Sequence, residues 1–148
     1  MITPATAQSV VIRFLDGGTL KGGTHDFAPN KMEFHVQPRG EEKSAPARIS
    51  LVSLKAVFFV KSLEGNRHHV EDKTFGRTPD QGRRIRVTFK DGEEIVGFTT
   101  GYAPDRPGFF VVPTDPASNN HRVFVVNSAV GEVEWLPSGA PAVAAARR

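Results

Sequence analysis

The chain has 148 residues, of which 39% are hydrophobic and 24% charged, proportions typical of a soluble globular protein. It contains no cysteine, which excludes disulfides, thiolate metal sites and a cysteine nucleophile, and no apolar run approaches the roughly 20 residues of a membrane helix. The net charge of +3 is small enough to come from a surface of mixed sign. Because residues 1–8 also lack the basic and apolar regions of a signal peptide, we expect a cytoplasmic protein.

The first part of the chain predicts short strands separated by turns. After a disordered arm at 1–8, Val10, Ile12 and Phe14 recur with the period of a half-buried strand. Asp16-Gly17 predicts a tight hairpin turn, because glycine adopts the positive φ that such turns need. Further strands are predicted at about 20–27, 34–37, 49–52 and 56–60. Five short strands without helical periodicity are typical of a small SH3-like or OB-like barrel.

Residues 64–83 interrupt this pattern with several glycines and prolines, and we interpret them as a linker between two units, or as an elaborated hairpin. The strand pattern then begins again with Ile85, Val87 and Phe89. Later strands are predicted at 109–112, 122–126 and 132–136. The tail at 138–148 lacks a core-forming pattern and is expected to be disordered.

The two parts of the chain are similar in sequence, which indicates an internal duplication. A shift of 75 residues aligns 10–38 with 85–113 without a gap, and ten of these 29 positions are identical. Chance would give about two identities. The similarity resumes at a shift of 76 near the end of each part. The sequence therefore predicts an all-β protein of two tandem five-stranded SH3-like or Sm-like barrels at 9–63 and 84–137.

Some positions that should face outward are apolar in only one of the two copies. These residues are Val11, Leu15 and Phe58 in the first copy and Phe110 and Val112 in the second, and the matching positions of the other copy are polar or charged. Exposed apolar surface usually marks an interface. We predict that the two barrels pack on each other through these residues, with contact to another subunit or protein as the alternative.

The motif around each Asp-Gly turn resembles the Sm-like fold, and it also looks like uncharacterised bacterial domains of that type. The resemblance is carried by the second copy at 87–97, which has the sequence VTFKDGEEIVG, and by a fourth strand at 122–127. Sm-like proteins bind single-stranded RNA and form rings by pairing the fourth strand of one barrel with the fifth of the next. This chain lacks the N-terminal helix of that fold and its RNA-contacting Asp and Asn, so the resemblance implies the fold more than RNA binding.

The candidate residues for nucleic-acid binding form a basic group with one aromatic side chain. They are Lys73, Arg77, Arg83, Arg84, Arg86, Tyr102 and Arg106. Such a group could contact phosphates and stack on bases. The alternative is a solvated linker and strand edge, with Tyr102 covering the core as Phe27 does in the first copy.

Other chemistry has weaker support. PilZ domains, which bind cyclic di-GMP, carry an RxxxR motif that Arg83, Arg84 and Arg86 do not form. The cluster His68-His69-Val70-Glu71-Asp72 has metal-ligand side chains, but neighbours on an extended loop project in opposite directions, so we predict no metal site. Asp16 and Asp91 occupy turn positions rather than forming a catalytic pair.

These observations predict a non-enzymatic binding or scaffold module, without cofactor, that acts through protein–protein contacts. Self-association is one version of this prediction. The alternative is an RNA or single-stranded nucleic-acid binding protein. A receptor for cyclic dinucleotides is the third possibility.

Overall fold

The structure is a computed structural model that describes residues 7–76 and 79–137. Ten strands account for its regular structure, together with two short 3-10 turns at Leu51–Ser53 and Asn127–Ala129. The strands of the first half are β1 (Gln8–Phe14), β2 (Thr19–Thr24), β3 (Glu33–Pro38), β4 (Ala47–Ser50) and β5 (Leu54–Val60). Those of the second half are β6 (Arg83–Phe89), β7 (Glu94–Thr99), β8 (Gly108–Pro113), β9 (Asn120–Val126) and β10 (Val130–Trp135).

The strands form one antiparallel sheet in the order β10-β6-β7-β8-β9-β5-β1-β2-β3-β4. The all-β prediction is confirmed. The sheet is not closed into a barrel, whereas the sequence predicted two separate barrels. The reason is that β5 pairs with β9, with Val57 opposite Phe124, and this pairing joins the two halves into a single sheet.

Both halves follow the same strand order and register. Val10 lies opposite Gly22 in the β1–β2 pair, and Ile85 lies opposite Gly97 in the β6–β7 pair. The predicted Asp-Gly turns follow the first strand of each half, with Gly17 at φ 95° and Gly92 at φ 93°. Each turn aspartate accepts a hydrogen bond from a backbone N–H two residues later, Asp16 from Gly18 and Asp91 from Glu93.

Two buried clusters form the core, and each contains side chains from both halves. The second-half cluster takes in Ala56, Phe58 and Val60 from β5. The first-half cluster takes in Phe124 and Val126 from β9. These two central strands are apolar on both faces because each face lies on a different cluster.

Some predicted element boundaries were wrong. Gln8, assigned to the disordered arm, begins β1, and Arg83, assigned to the linker, begins β6. The fourth strand ends at Ser50 rather than at 52, because the chain turns into a 3-10 turn that leaves Val52 exposed. The predicted tail at 138–148 and most of the arm lie outside the described residues. Within the described ranges, no helix is long and apolar enough to cross a membrane.

Candidate binding groove

Two adjoining cavities lie where the β2–β3 loop of the first half meets the β7–β8 loop of the second. One has a volume of about 520 Å³ and is lined by Asn30, Phe109, Phe110 and Phe124, among others. The other, of about 180 Å³, is lined by Met32, Leu51, Val52 and Val126, among others. Arg106 and Pro107 line both cavities. We refer to the two together as the seam groove.

One wall of the seam groove is held by hydrogen bonds between the 3-10 turn at Asn127–Ala129 and the β7–β8 loop of the second half. Asn127 donates from Nδ2 to the carbonyl oxygens of Ala103 at 3.0 Å and Arg106 at 2.8 Å. Its backbone N–H also donates to the carbonyl oxygen of Pro107 at 2.9 Å. Three bonds from one asparagine therefore fix the loop that carries Arg106.

Aromatic packing sets the floor of the groove. The ring of Phe110 lies 5.1 Å from that of Phe124 and 6.0 Å from that of Phe59, centroid to centroid. Arg122 stacks its guanidinium 4.2 Å from the Phe110 centroid, and burial lowers the pKa of Arg122. The groove therefore has a preformed apolar base, which is the usual character of a binding site.

The rim combines exposed apolar side chains with a single charge. Val52 is 64% exposed and Met32 is 47% exposed. Arg106 is the one charged residue that lines either cavity, and its guanidinium makes no hydrogen bond or ion pair with the rest of the described chain. Sequence reasoning missed Met32 and Val52, since neither the predicted fourth strand nor the preceding loop indicated that they would be exposed together.

A protein-family model matches the chain across both halves. The matching profile is DUF6982, described as a family of unknown function, and it covers residues 6–137. The chain belongs to this family. No curated protein and no solved structure matches the chain. Because the DUF6982 description names no fold and no ligand, the resemblance to Sm-like domains stays a prediction.

The predicted interface residues divide into two groups. Val11 and Phe58 of the first half pack against the second-half cluster, and Phe110 of the second half packs against the first-half cluster. Leu15 is 53% exposed, and Val112 is half-buried and lies in neither cluster. The structure therefore brings three of the five residues to the joint between the halves.

The three arginines of the predicted basic group that lie on β6 are each engaged by other side chains. The Arg84 guanidinium pairs with Asp80 at 2.9 Å, Arg86 pairs with Glu134 at 2.5 Å, and Arg83 stacks 3.6 Å from the Trp135 ring centroid. Tyr102 packs edge-on against Phe109 and Trp135, as the core-covering alternative expects. Lys73 is exposed, and Arg77 lies outside the described residues. Among the members of this group that the structure describes, only Arg106 reaches the seam groove.

Residues 64–82 contain no strand among the described positions, yet they are attached to the β8–β9 turn. His69 Nε2 lies 2.8 Å from Asp115 Oδ2, and the same oxygen accepts the Asp72 N–H at 2.8 Å. The Asp72 and Ala117 N–H groups and His69 hold the pKa of Asp115 below its usual range. Burial raises the pKa of Glu71, and the Asp115 carboxylate adds to that rise. This predicted linker is thus held against the second half by a buried carboxylate.

Proposed function

We propose that this protein is a non-enzymatic binding module, built from two related Sm-like units, that holds an extended segment of a partner protein in the seam groove. The observation that carries the proposal is an apolar groove with one unpaired cation, Arg106, among its described lining residues. A segment that places an apolar side chain on Phe110 and a carboxylate beside Arg106 would complement both features.

The composition of the groove favours a protein ligand over a nucleic acid. A phosphate chain is normally bound by several cations along a track, and its affinity depends on their number. The seam groove offers one cation, while Arg84 and Arg86 are paired with carboxylates elsewhere. A cyclic dinucleotide has two phosphates, and the single cation of the groove would leave one of them without a positively charged partner. Catalysis in the groove lacks support, since Arg106 is its one titratable lining residue.

The free strand edges argue for a partner other than a second copy of this chain. At the central joint, Phe124 of β9 lies beside β5. Arg48 occupies the corresponding position of the outer strand β4. This correspondence follows from the register, since Phe124 pairs with Phe110 and Arg48 pairs with His35 in the equivalent strand pairs of the two halves. On the other outer strand, β10, Glu134 corresponds to Phe58. Charged side chains on edge strands oppose edge-to-edge pairing.

Peptide selection tests the proposal. A phage-displayed library of random peptides is selected on the immobilised full chain, and one selected peptide is labelled for fluorescence anisotropy. We expect the selected peptides to combine apolar residues with Asp, Glu or a free carboxyl terminus. Arg106→Glu should weaken peptide binding by about tenfold or more, since it turns an attraction into a repulsion. Val52→Asp should also weaken it.

Arg67→Glu is the matched control, because Arg67 is exposed and lies outside the groove. This variant should bind the peptide as the wild type does. Equal binding by Arg106→Glu, or a selection that yields no peptide, would contradict the proposal.

A labelled oligouridine at low salt is the second arm of the experiment. If the oligouridine binds the wild type and Arg106→Glu abolishes this binding, the groove is assigned to single-stranded nucleic acid. Light scattering should give the mass of one chain, whereas a multiple of it would support self-association.

A further inference from the structure

Three metal-ligating side chains converge from two separate segments of the second half's surface. His69 and Glu71 lie on the segment before β6, and Asp115 lies on the turn between β8 and β9. The ligand atoms of all three lie within 4.8 Å of one another. His69 Nε2 is 2.8 Å from Asp115 Oδ2 and 3.7 Å from Glu71 Oε1. Neighbours along the sequence could not reveal this arrangement, because Asp115 is 46 residues from His69.

The surroundings of the cluster hold the ligands in place. Asp115 is 7% exposed, and each of its oxygens accepts a backbone hydrogen bond, Oδ1 from Ala117 and Oδ2 from Asp72, both at 2.8 Å. In metal sites, hydrogen bonds of this kind commonly hold a ligating carboxylate in the orientation that faces the metal. The second lone pair of Oδ2 faces His69 Nε2 and would bind the metal in place of that contact, while Oδ1 keeps a lone pair beyond the bond from Ala117.

The cluster also opens onto space for additional ligands. A cavity of about 400 Å³ is lined by His69 and Glu71, and Ser118, Asn119 and Asn120 contribute its polar wall. A cation coordinated by the three side chains would therefore have an accessible fourth position. It would also neutralise two carboxylates that otherwise face each other around a single imidazole, an arrangement that is electrostatically unfavourable.

We propose that His69, Glu71 and Asp115 form a binding site for a divalent transition metal, and the chemistry of these ligands favours Zn²⁺. The bound ion would link residues 69–72 to the β8–β9 turn. One imidazole and two carboxylates are ligands that zinc accepts, and three protein ligands with one open position is a common zinc arrangement. To bind the metal, His69 presents an unprotonated Nε2, so its remaining ring proton resides on Nδ1. This site shares no residue with the seam groove and does not depend on the function proposed for it.

Zinc titration of the chelator-treated, untagged full chain tests the site. By calorimetry we expect one zinc ion per chain, and by thermal unfolding a midpoint that rises with zinc concentration, because a ligand that binds only the folded state stabilises it. His69→Asn and Glu71→Gln should each weaken zinc binding by about tenfold or more. Glu71→Gln keeps the shape of a partly exposed side chain and should leave the fold intact. Weaker zinc binding by this variant could therefore not be attributed to unfolding.

His68→Asn is the matched control, since His68 is the adjacent histidine, is exposed and lies outside the cluster. It should bind zinc as the wild type does. Zinc binding that is unchanged in His69→Asn, or lost in His68→Asn, would place the ion elsewhere and overturn the proposal. Absence of zinc binding by the wild type, or binding of Mg²⁺ in preference to Zn²⁺, would overturn it as well.

Discussion

At the scale of single residues, Lys55 makes a buried polar contact between the two halves. It belongs to β5 and is only 5% exposed, and its Nζ donates to Asp91 Oδ2 at 2.7 Å and to Glu93. Its ammonium also lies 4.8 Å from the Phe89 ring centroid. A buried cation needs such partners, because removing one leaves a charge in a poorly solvated place. Asp91 thus has a second role beyond its turn.

Asp91→Asn separates these two roles. Asparagine keeps the side-chain oxygen that accepts the Glu93 N–H, but it removes the charge that faces Lys55. We expect the free energy of unfolding in urea to fall by about 1 kcal/mol more than in Asp16→Asn, since Asp16 occupies the same turn position of the first half. Equal losses in the two variants would show that the contact with Lys55 contributes nothing.

The Asp91 contact also predicts a dependence on pH. The hydrogen bond from Lys55 and that from the Glu93 backbone lower the pKa of Asp91. A carboxyl whose pKa is lowered by folding stabilises the protein fully above its ordinary pKa, and this stabilisation is lost as the pH falls through the lowered value. The difference in unfolding free energy between wild type and Asp91→Asn should therefore be constant near neutral pH and shrink in acid.

At the scale of secondary structure, the second and third strands of each half cross at a glycine. A Cβ atom at Gly97 would lie 2.1 Å from the carbonyl oxygen of Val112, and one at Gly22 would lie 2.1 Å from that of Gln37. Each crossing pairs only two residues on each strand, such as Gly97 with Pro113 and Phe98 with Val112. The glycine is therefore required for the close approach of two backbones at a bend.

Gly97→Ala should consequently lower the free energy of unfolding by about 1–3 kcal/mol, because the backbone of β8 must move to admit the methyl group. Gly101→Ala is the control, since a Cβ at Gly101 meets no atom within 4 Å. Its effect should stay within about 0.5 kcal/mol. Chemical denaturation measures both, and equal effects would show that the crossing tolerates a side chain.

The sequence predicted elements better than it predicted contacts between them. Period-two alternation identified β1 and β6, and the Asp-Gly pairs identified the turns that follow, because both signals are local. The pairing of Arg86 with Glu134 and of Lys55 with Asp91 depends on strands that are far apart in sequence, so a basic run appeared free when it was not. The seam groove likewise depends on Arg106 and Val52, which only the folded sheet brings together.

At the scale of the whole molecule, the two halves share their cores. Phe58 on the last strand of the first half is buried in the second-half cluster, and Phe124 on the fourth strand of the second half is buried in the first-half cluster. Outward apolar residues in the sequence hinted at contact between the copies. The structure shows interlocking rather than two finished surfaces in contact, since each cluster is incomplete without a strand of the other half.

Shared cores predict that the whole chain unfolds as one cooperative unit. Trp135 is the chain's one tryptophan and lies on β10, so its fluorescence reports the second half, whereas circular dichroism reports all strands. Ile12→Val removes a methylene from the first-half cluster, where Ile12 is fully buried, and should cost about 1 kcal/mol. For a domain of this size, such a cost lowers the thermal midpoint by about 2–4 °C. We expect the fluorescence midpoint to fall by the same amount as the dichroism midpoint, because an interlocked molecule cannot lose one core and keep the other. An unchanged tryptophan midpoint, with a lower dichroism midpoint, would instead mean that the halves unfold independently despite the β5–β9 joint.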